Sequence, residues 1–377
     1  MSVHKSSSPP AATSESASAA AGETGCISIS ITGTNSGKYD DDDEMLVSFR
    51  KYVMFPTKDV GAFQMYKKQL EAFWRVEEFS DRMDKDVSDW ETKLSAAEKR
   101  LVGHAIGFFA ASDGIVSENL VTRFCMESDQ AEVRAFYITQ AFFEQIHSEA
   151  YSLIIDRLIA DPRAKNALFR AVEHHPCVRR KAQWGHAWIE AVDTVAAGCG
   201  AARRLAAFAC VEGIFFSSSF ATIFWFKSRN LLPGITLSNE WISRDEGLHT
   251  DFAAYRYRQL PAAQQMPTNE LYMLVDEAVE IELAFARDSL PEALPGMNAE
   301  LMSEYVRYVA NRLLVQLGLA SAYPNCTECP FPFMLKQAGQ TKSNFFETQV
   351  SNYSAADLAG CGDESIYHTG AIEDGDF

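Results

Sequence analysis

Positive charge is what this sequence has little of. Against 51 Asp and Glu stand 34 Lys and Arg in 377 residues, a formal net charge of -17 with a pI near 4.9. A phosphate backbone needs a basic face, so nucleic acid is excluded as the expected partner, while a basic protein surface is not. No arginine precedes Arg50, and the Ser- and Ala-rich start carries Glu15 and Glu23 without an apolar core of signal length. Neither a secretory signal nor a transit peptide is expected. Uninterrupted apolar runs long enough for a membrane are also missing: the longest, residues 208–226, holds Glu212 and three consecutive serines. A buried helix is expected there, and no membrane contact. Eight scattered cysteines in a chain of this size need no disulfide staples, which points to the cytoplasm. Strand-like alternation is absent as well.

What is present is helical. From residue 45 to about 320, apolar residues recur in steps of three and four, broken at Asp161-Pro162, His175-Pro176 and Pro233-Gly234. The expected fold is therefore all-α. Residues 1–44 are poor in apolar residues and end in the acidic run Asp40 to Glu44, so they read as a disordered extension. Residues 45–338 form the helical domain, and 339–377 a flexible acidic tail with an apolar tip, Phe377.

Four helical stripes carry polar interruptions. Asp113 stands in the series Ile106, Phe109, Asp113, Val116, Leu120, and Glu212 in Leu205, Phe208, Glu212, Phe216, Phe220. Glu144 and His147 interrupt Tyr137, Gln140, Glu144, His147, Tyr151, Ile154, and the same Glu-x-x-His spacing returns at Glu246 and His249. The order carboxylate, turn, Glu-x-x-His thus occurs twice, with separations of 31 and 34 residues that suit neighbouring helices. Any one of these residues could be a locally satisfied polar group. Together, four buried carboxylates would cost several kcal/mol each unless neutralised, and no Lys or Arg lies on these stripes. Two divalent cations balance them, and an oxygen-rich set with two imidazoles favours iron or manganese over a thiolate-seeking metal. The zinc-protease pattern His-Glu-x-x-His is excluded, because neither Glu144 nor Glu246 follows a histidine.

Tyr151 lies one turn beyond His147 on the ligand face, whereas the matching position after His249 is Ala253. The phenol therefore has a use beyond packing, and Phe216, Phe220 and Ile242 are expected as its apolar wall. A core tyrosine with a satisfied hydroxyl is the plainer alternative.

The stretches FFAASDGIVSENLVTRF, EQIHSEAYSLIID, VEGIFFSSSFATIFW, NEWISRDEGLHTDFA and SNFFETQVSNY, in that order, resemble the small, radical-generating subunit of class I ribonucleotide reductase of the eukaryotic kind. The resemblance spans about residues 45–377. It implies a ferritin-like helical bundle, a homodimer, and two iron ions, ahead of manganese, held by Asp113, Glu144, His147, Glu212, Glu246 and His249. Glu144 and Glu246 take the bridging places. It further implies a radical at Tyr151, transfer through His147, Asp245, Trp74 and Tyr353, and docking of the C-terminal tail on the large catalytic subunit through Phe377. A di-iron oxygenase or desaturase, and an iron-storage protein, are the alternative uses of such a site. Within NCTECPFPFM, Cys326 and Cys329 form a CxxC pair that could bind a metal or close a disulfide, but no second pair lies nearby.

Overall fold

The computed structural model describes residues 52–190 and 200–335, and among these the regular elements are helices. Ten of them organise the fold: α1 (Val60–Glu71), α2 (Met83–Thr92), α3 (Ala96–Asn119), α4 (Ala131–Leu158), α5 (Pro176–Glu190), α6 (Gly200–Cys210), α7 (Ser217–Ser228), α8 (Pro233–Gln259), α9 (Thr268–Ser289) and α10 (Ala299–Gln316). A π-helical turn, Val211–Phe215, joins α6 to α7, and another, Leu120–Phe124, continues α3. The N-terminal extension, the connection at 191–199 and the tail from 336, with Tyr353 and Phe377, lie outside the described residues.

The centre consists of α3, α4, the α6–α7 rod and α8, with α3 packed on α4, α6 on α8, α7 on both α3 and α8, and α4 across to α8. Each carries one of the polar-interrupted stripes, so the stripes meet at the middle. The remaining helices enclose this centre: α1 covers α4, while α9 and α10 pack on each other and on the α6–α7 rod. The apolar rod Gly200–Ser228 has the length and hydropathy of a membrane span, yet 94% of its most apolar window is buried by protein. Its neighbours in this fold are side chains, which accounts for its composition without lipid.

Local chemistry sets where the helices begin. Ser95 and Glu98 form a reciprocal capping box at the start of α3, with Ser95 N–H donating to Glu98 Oε2 at 2.7 Å and Glu98 N–H to Ser95 Oγ at 3.3 Å. At α8, Pro233 opens the first turn and Leu232 before it is left-handed at φ 54°, a conformation that costs a branched residue about 1–2 kcal/mol. Two buried carboxylates of α2 hold that corner. Asp86 accepts from the amides of Gly234 and Ile235 at 2.9 and 2.8 Å, and Asp89 from Leu232 N–H at 3.1 Å. Asp86 approaches so closely that a Cβ on Gly234 would lie 2.7 Å from its Oδ2, which explains the glycine.

Replacing Asp86 with Ala strands two buried amides, which costs on the order of 1–3 kcal/mol. The thermal midpoint followed by circular dichroism is expected to fall by several degrees; an unchanged midpoint removes Asp86 as the anchor of α8.

Candidate metal and radical site

Asp113 comes from the last turns of α3, Glu144 and His147 from the middle of α4, Glu212 from the Val211–Phe215 turn, and Glu246 and His249 from the middle of α8. None is more than 1% exposed. Single ligand atoms of Glu144, Glu212, Glu246 and His249 all lie within 4.8 Å of one another. His147 joins them through Nδ1, 2.9 Å from Glu246 Oε1 and 3.4 Å from Glu144 Oε2. His249 Nδ1 stands 3.2 Å from Glu144 Oε1 and 3.1 Å from Glu246 Oε2. Asp113 lies near enough for the charges of Glu144, His147 and Glu246 to act on its carboxyl. The structure thus gathers the six residues of the two half-patterns around one point.

The electrostatics are those of a site short of positive charge. Burial, then the neighbouring Glu144, pushes the Asp113 carboxyl well above the usual carboxylate range, and burial followed by Glu246 and Glu144 does the same to Glu212. Burial opposes charge on both imidazoles, but their carboxylate neighbours outweigh it: His249 rises to about 9, and His147, bonded to Asp245, Glu144 and Glu246, rises well above its ordinary value. Glu246 moves the other way, because His249 and His147 overcome the effect of its burial. Beyond these imidazoles, Asp113 Oδ2, both Glu144 oxygens and Glu212 Oε2 are buried without a hydrogen-bond partner. Carboxylate oxygens left without partners in a dry core beside two imidazoles are what a pair of divalent cations would satisfy. The residues present fit a two-metal carboxylate centre.

Around the cluster, partners orient the donors. Gln140, one turn before Glu144, donates from Nε2 to Glu212 Oε1 at 3.0 Å. His147 turns its other nitrogen, Nε2, to Asp245 Oδ2 at 3.3 Å, and the same oxygen accepts from Trp74 Nε1 at 2.8 Å. A carboxylate behind an imidazole fixes its tautomer and orientation. The Trp74 and His147 rings are stacked with centroids 6.0 Å apart and planes 16° apart, while Arg244 Nη2 donates to Asp245 Oδ1 at 3.0 Å and to the Ala72 carbonyl at 2.6 Å. Trp74, Asp245 and His147 therefore form one bonded line running from the cluster towards α1.

Tyr151 is fully buried, and burial with the nearby carboxylates raises its phenol well above the ordinary value, so it stays protonated. Its hydroxyl donates to Asn239 Oδ1 at 2.8 Å, and Asn239 is held in turn by its own Nδ2 on the Ile235 carbonyl at 2.8 Å. Phe109 lies flat against the phenol, with centroids 4.6 Å apart and planes 7° apart. Phe216 and Phe220 back Phe109 at 5.5 and 4.8 Å, and Ile242 is buried on α8.

Three of these contributors escaped a reading by motif. Phe109, four residues before Asp113, reads as an ordinary packing residue, while Gln140, four before Glu144, stood on its stripe with only its polar side chain as a signal. Asn239 continues the α8 face of Ile242, Glu246 and His249 by one step of three. Its polar side chain on that face was the available signal. No disulfide joins Cys326 to Cys329, and neither belongs to the metal-ligating cluster found among the described residues.

Comparison with known proteins agrees with this architecture. The family model for the ribonucleotide reductase small chain matches residues 51–330. A ribonucleoside-diphosphate reductase small chain from Yaba-like disease virus is 48% identical over 307 residues, which cover 81% of this chain and 90% of that one. A ribonucleoside-diphosphate reductase small chain from Arabidopsis thaliana is 46% identical over 324 residues, covering 86% and 92%. The ribonucleotide reductase Rnr4 homodimer of Saccharomyces cerevisiae matches in structure with a TM-score of 0.63 at 30% identity, over 77% of this chain and 90% of that one. The fold is all-α, as the periodicity anticipated, and is the ferritin-like bundle that the resemblance implied. Two Glu-x-x-His helices, two single-carboxylate helices and this degree of likeness lead to one conclusion: the chain belongs to the ribonucleotide reductase small-chain family.

Proposed function

We propose that Tyr151 carries a stable radical made beside a di-iron centre, and that the radical is passed to a large catalytic subunit, where ribonucleoside diphosphates are reduced. Asp113, Glu144, His147, Glu212, Glu246 and His249 would hold two iron ions, which with dioxygen would supply the one-electron oxidation of a phenol. The observation that carries the reading is the setting of Tyr151: fully buried, stacked on Phe109 and hydrogen-bonded to the amide of Asn239. An amide oxygen is a hydrogen-bond acceptor but not a base at neutral pH. Asn239 therefore orients Tyr151 Oη without removing its proton beforehand. The rings of Phe109, Phe216 and Phe220 exclude water and reductants from the oxidised phenol. A substrate-oxidising enzyme needs the opposite, an opening that brings an organic substrate to the metals.

His147, Asp245 and Trp74 form the described part of the transfer route, the single oxygen Asp245 Oδ2 linking ring nitrogens of both aromatic groups. Tyr353 in the tail continues it, and the terminal AIEDGDF docks on the large subunit, with Phe377 in an apolar pocket and the acids steering it to a basic surface. We assign residues 1–44 to an extension, 45–338 to the bundle and 339–377 to the docking tail. We further propose that the protein is a homodimer and works in the cytoplasm.

Iron(II) and oxygen added to the purified chain are expected to give a tyrosyl signal in electron paramagnetic resonance that Tyr151→Phe lacks. A signal that survives the substitution places the radical elsewhere.

Metal occupancy can be read without the radical. Under anaerobic conditions, iron(II) at about a hundredfold its Kd stabilises the fold by about 2.7 kcal/mol per site. Glu212→Gln should melt no lower than the parent without metal, since it removes one crowded carboxylate, and should gain less when metal is added. A variant that gains as much as the parent sinks the ligand role.

Deleting residues 371–377 should leave radical formation intact while nucleotide reduction with the large subunit collapses. Retained reduction would remove the tail as the docking element.

A further inference from the structure

The backbone that carries Glu212 is not a regular helix. A π-turn fits one more residue into the coil than an α-turn does, so relaxing Val211–Phe215 to α geometry would rotate Glu212 by about 100° against Phe216 and the rest of α7. The irregularity also displaces backbone groups from the normal ladder. Side chains reach the backbone at and just after the turn. Ser217 Oγ donates to the Ile214 carbonyl at 2.6 Å, Lys181 Nζ to the Phe215 carbonyl at 2.7 Å, and Ser218 N–H donates to Glu282 Oε1 at 3.2 Å, an oxygen that also accepts from Ser218 Oγ. Regular bonding has resumed at Phe220 N–H to the Phe216 carbonyl, 3.0 Å.

Lys181 and Glu282 come from α5 and α9, outside the metal-bearing helices, and pair with each other at 2.5 Å with side chains 1% and 0% exposed. Lys181 Nζ also sits over the Phe108 and Phe285 rings, 3.7 and 3.5 Å from their centroids. Burial lowers the Lys181 ammonium to about 8 against the opposing pull of Glu282. A buried ion pair is often no more stabilising than an apolar pair of the same volume. This one is explained by what it grips, the carbonyl of Phe215 and the amide of Ser218, on the backbone between Glu212 and Phe220.

We propose that Lys181 and Glu282 are positioning residues for the metal centre: their ion pair clamps the π-turn at Phe215 and Ser218 and so fixes where Glu212 points. The proposal rests on the metal reading of the cluster, and deepens it by naming what holds the one ligand that a regular helix would misplace.

The test is the double substitution Lys181→Met with Glu282→Leu in the full chain, which removes both charges together. The double variant should melt within a few degrees of the parent. In the metal-free protein, amide exchange across residues 211–218 should accelerate tenfold or more while that of α4 is unchanged. Anaerobic iron(II) affinity should fall by roughly 10–100-fold, the usual effect of losing a group that orients a ligand. Unchanged affinity in the folded double variant overturns the proposal, whether or not exchange has accelerated. Should the double variant fail to fold, Ser218→Ala removes only the hydroxyl bond to Glu282. Its expected result is faster exchange at 215–218 with severalfold weaker iron(II) binding, and parental values of both overturn the clamp. If the parent itself binds no iron(II), the metal reading fails, and the exchange measurement still decides whether the pair holds the turn.

Discussion

Four carboxylates converge in the dry centre of this bundle, and their mutual repulsion is the constraint around which the rest is arranged. Asp113, Glu144, Glu212 and Glu246 come from four different rods of the core, and only two imidazoles stand among them to offset their charge. Such a cluster opposes folding unless cations enter it. The helices that bring the acids together must therefore be held by interactions that do not depend on the acids. The capping box of α3, the two aspartates of α2 at the start of α8, and the apolar faces of the α6–α7 rod do this.

The two sides of the cluster are chemically opposed. Towards α1 it continues as bonded polar and aromatic groups, from His147 through Asp245 to the indole of Trp74, with Arg244 fastening the carboxylate to the Ala72 backbone. Towards α3 and α7 it ends at one buried phenol stacked on Phe109, which Phe216 and Phe220 back. The first side suits charge that moves, the second suits an oxidised group that must persist. Both start on α4, the first at His147 and the second one turn on at Tyr151. Ala253 on α8, at the position equivalent to Tyr151, is buried and carries no functional group, so the near-symmetry of the metal ligands does not extend to the phenol.

Glu212 differs from the other ligands in depending on an irregular backbone. Asp113, Glu144, His147, Glu246 and His249 all project from α-helices whose periodicity alone aims them inward. Glu212 is aimed by a π-turn, and the groups that satisfy that turn arrive from helices remote in sequence, 34 residues before Phe215 for Lys181 and 64 after Ser218 for Glu282.

The sequence by itself determined the helical class, the two carboxylate and Glu-x-x-His half-patterns, and the asymmetry between Tyr151 and Ala253. These are matters of spacing along one helix, where a step of three or four residues decides which side chains share a face. Only the tertiary structure decided that Asn239 accepts the hydrogen bond of the phenol, that Phe109 covers its ring, that Gln140 holds Glu212, and that one oxygen of Asp245 serves both His147 and Trp74. Each of these is a contact between different helices, or a choice among several apolar residues on one stripe. Spacing along a helix does not specify the depth, rotation and partner of its neighbours, which packing alone sets. The π-turn at Glu212 was beyond a periodic reading for the same reason: Glu212, Phe216 and Phe220 read as a regular stripe, and the pair of charges that grips the turn comes from two other helices.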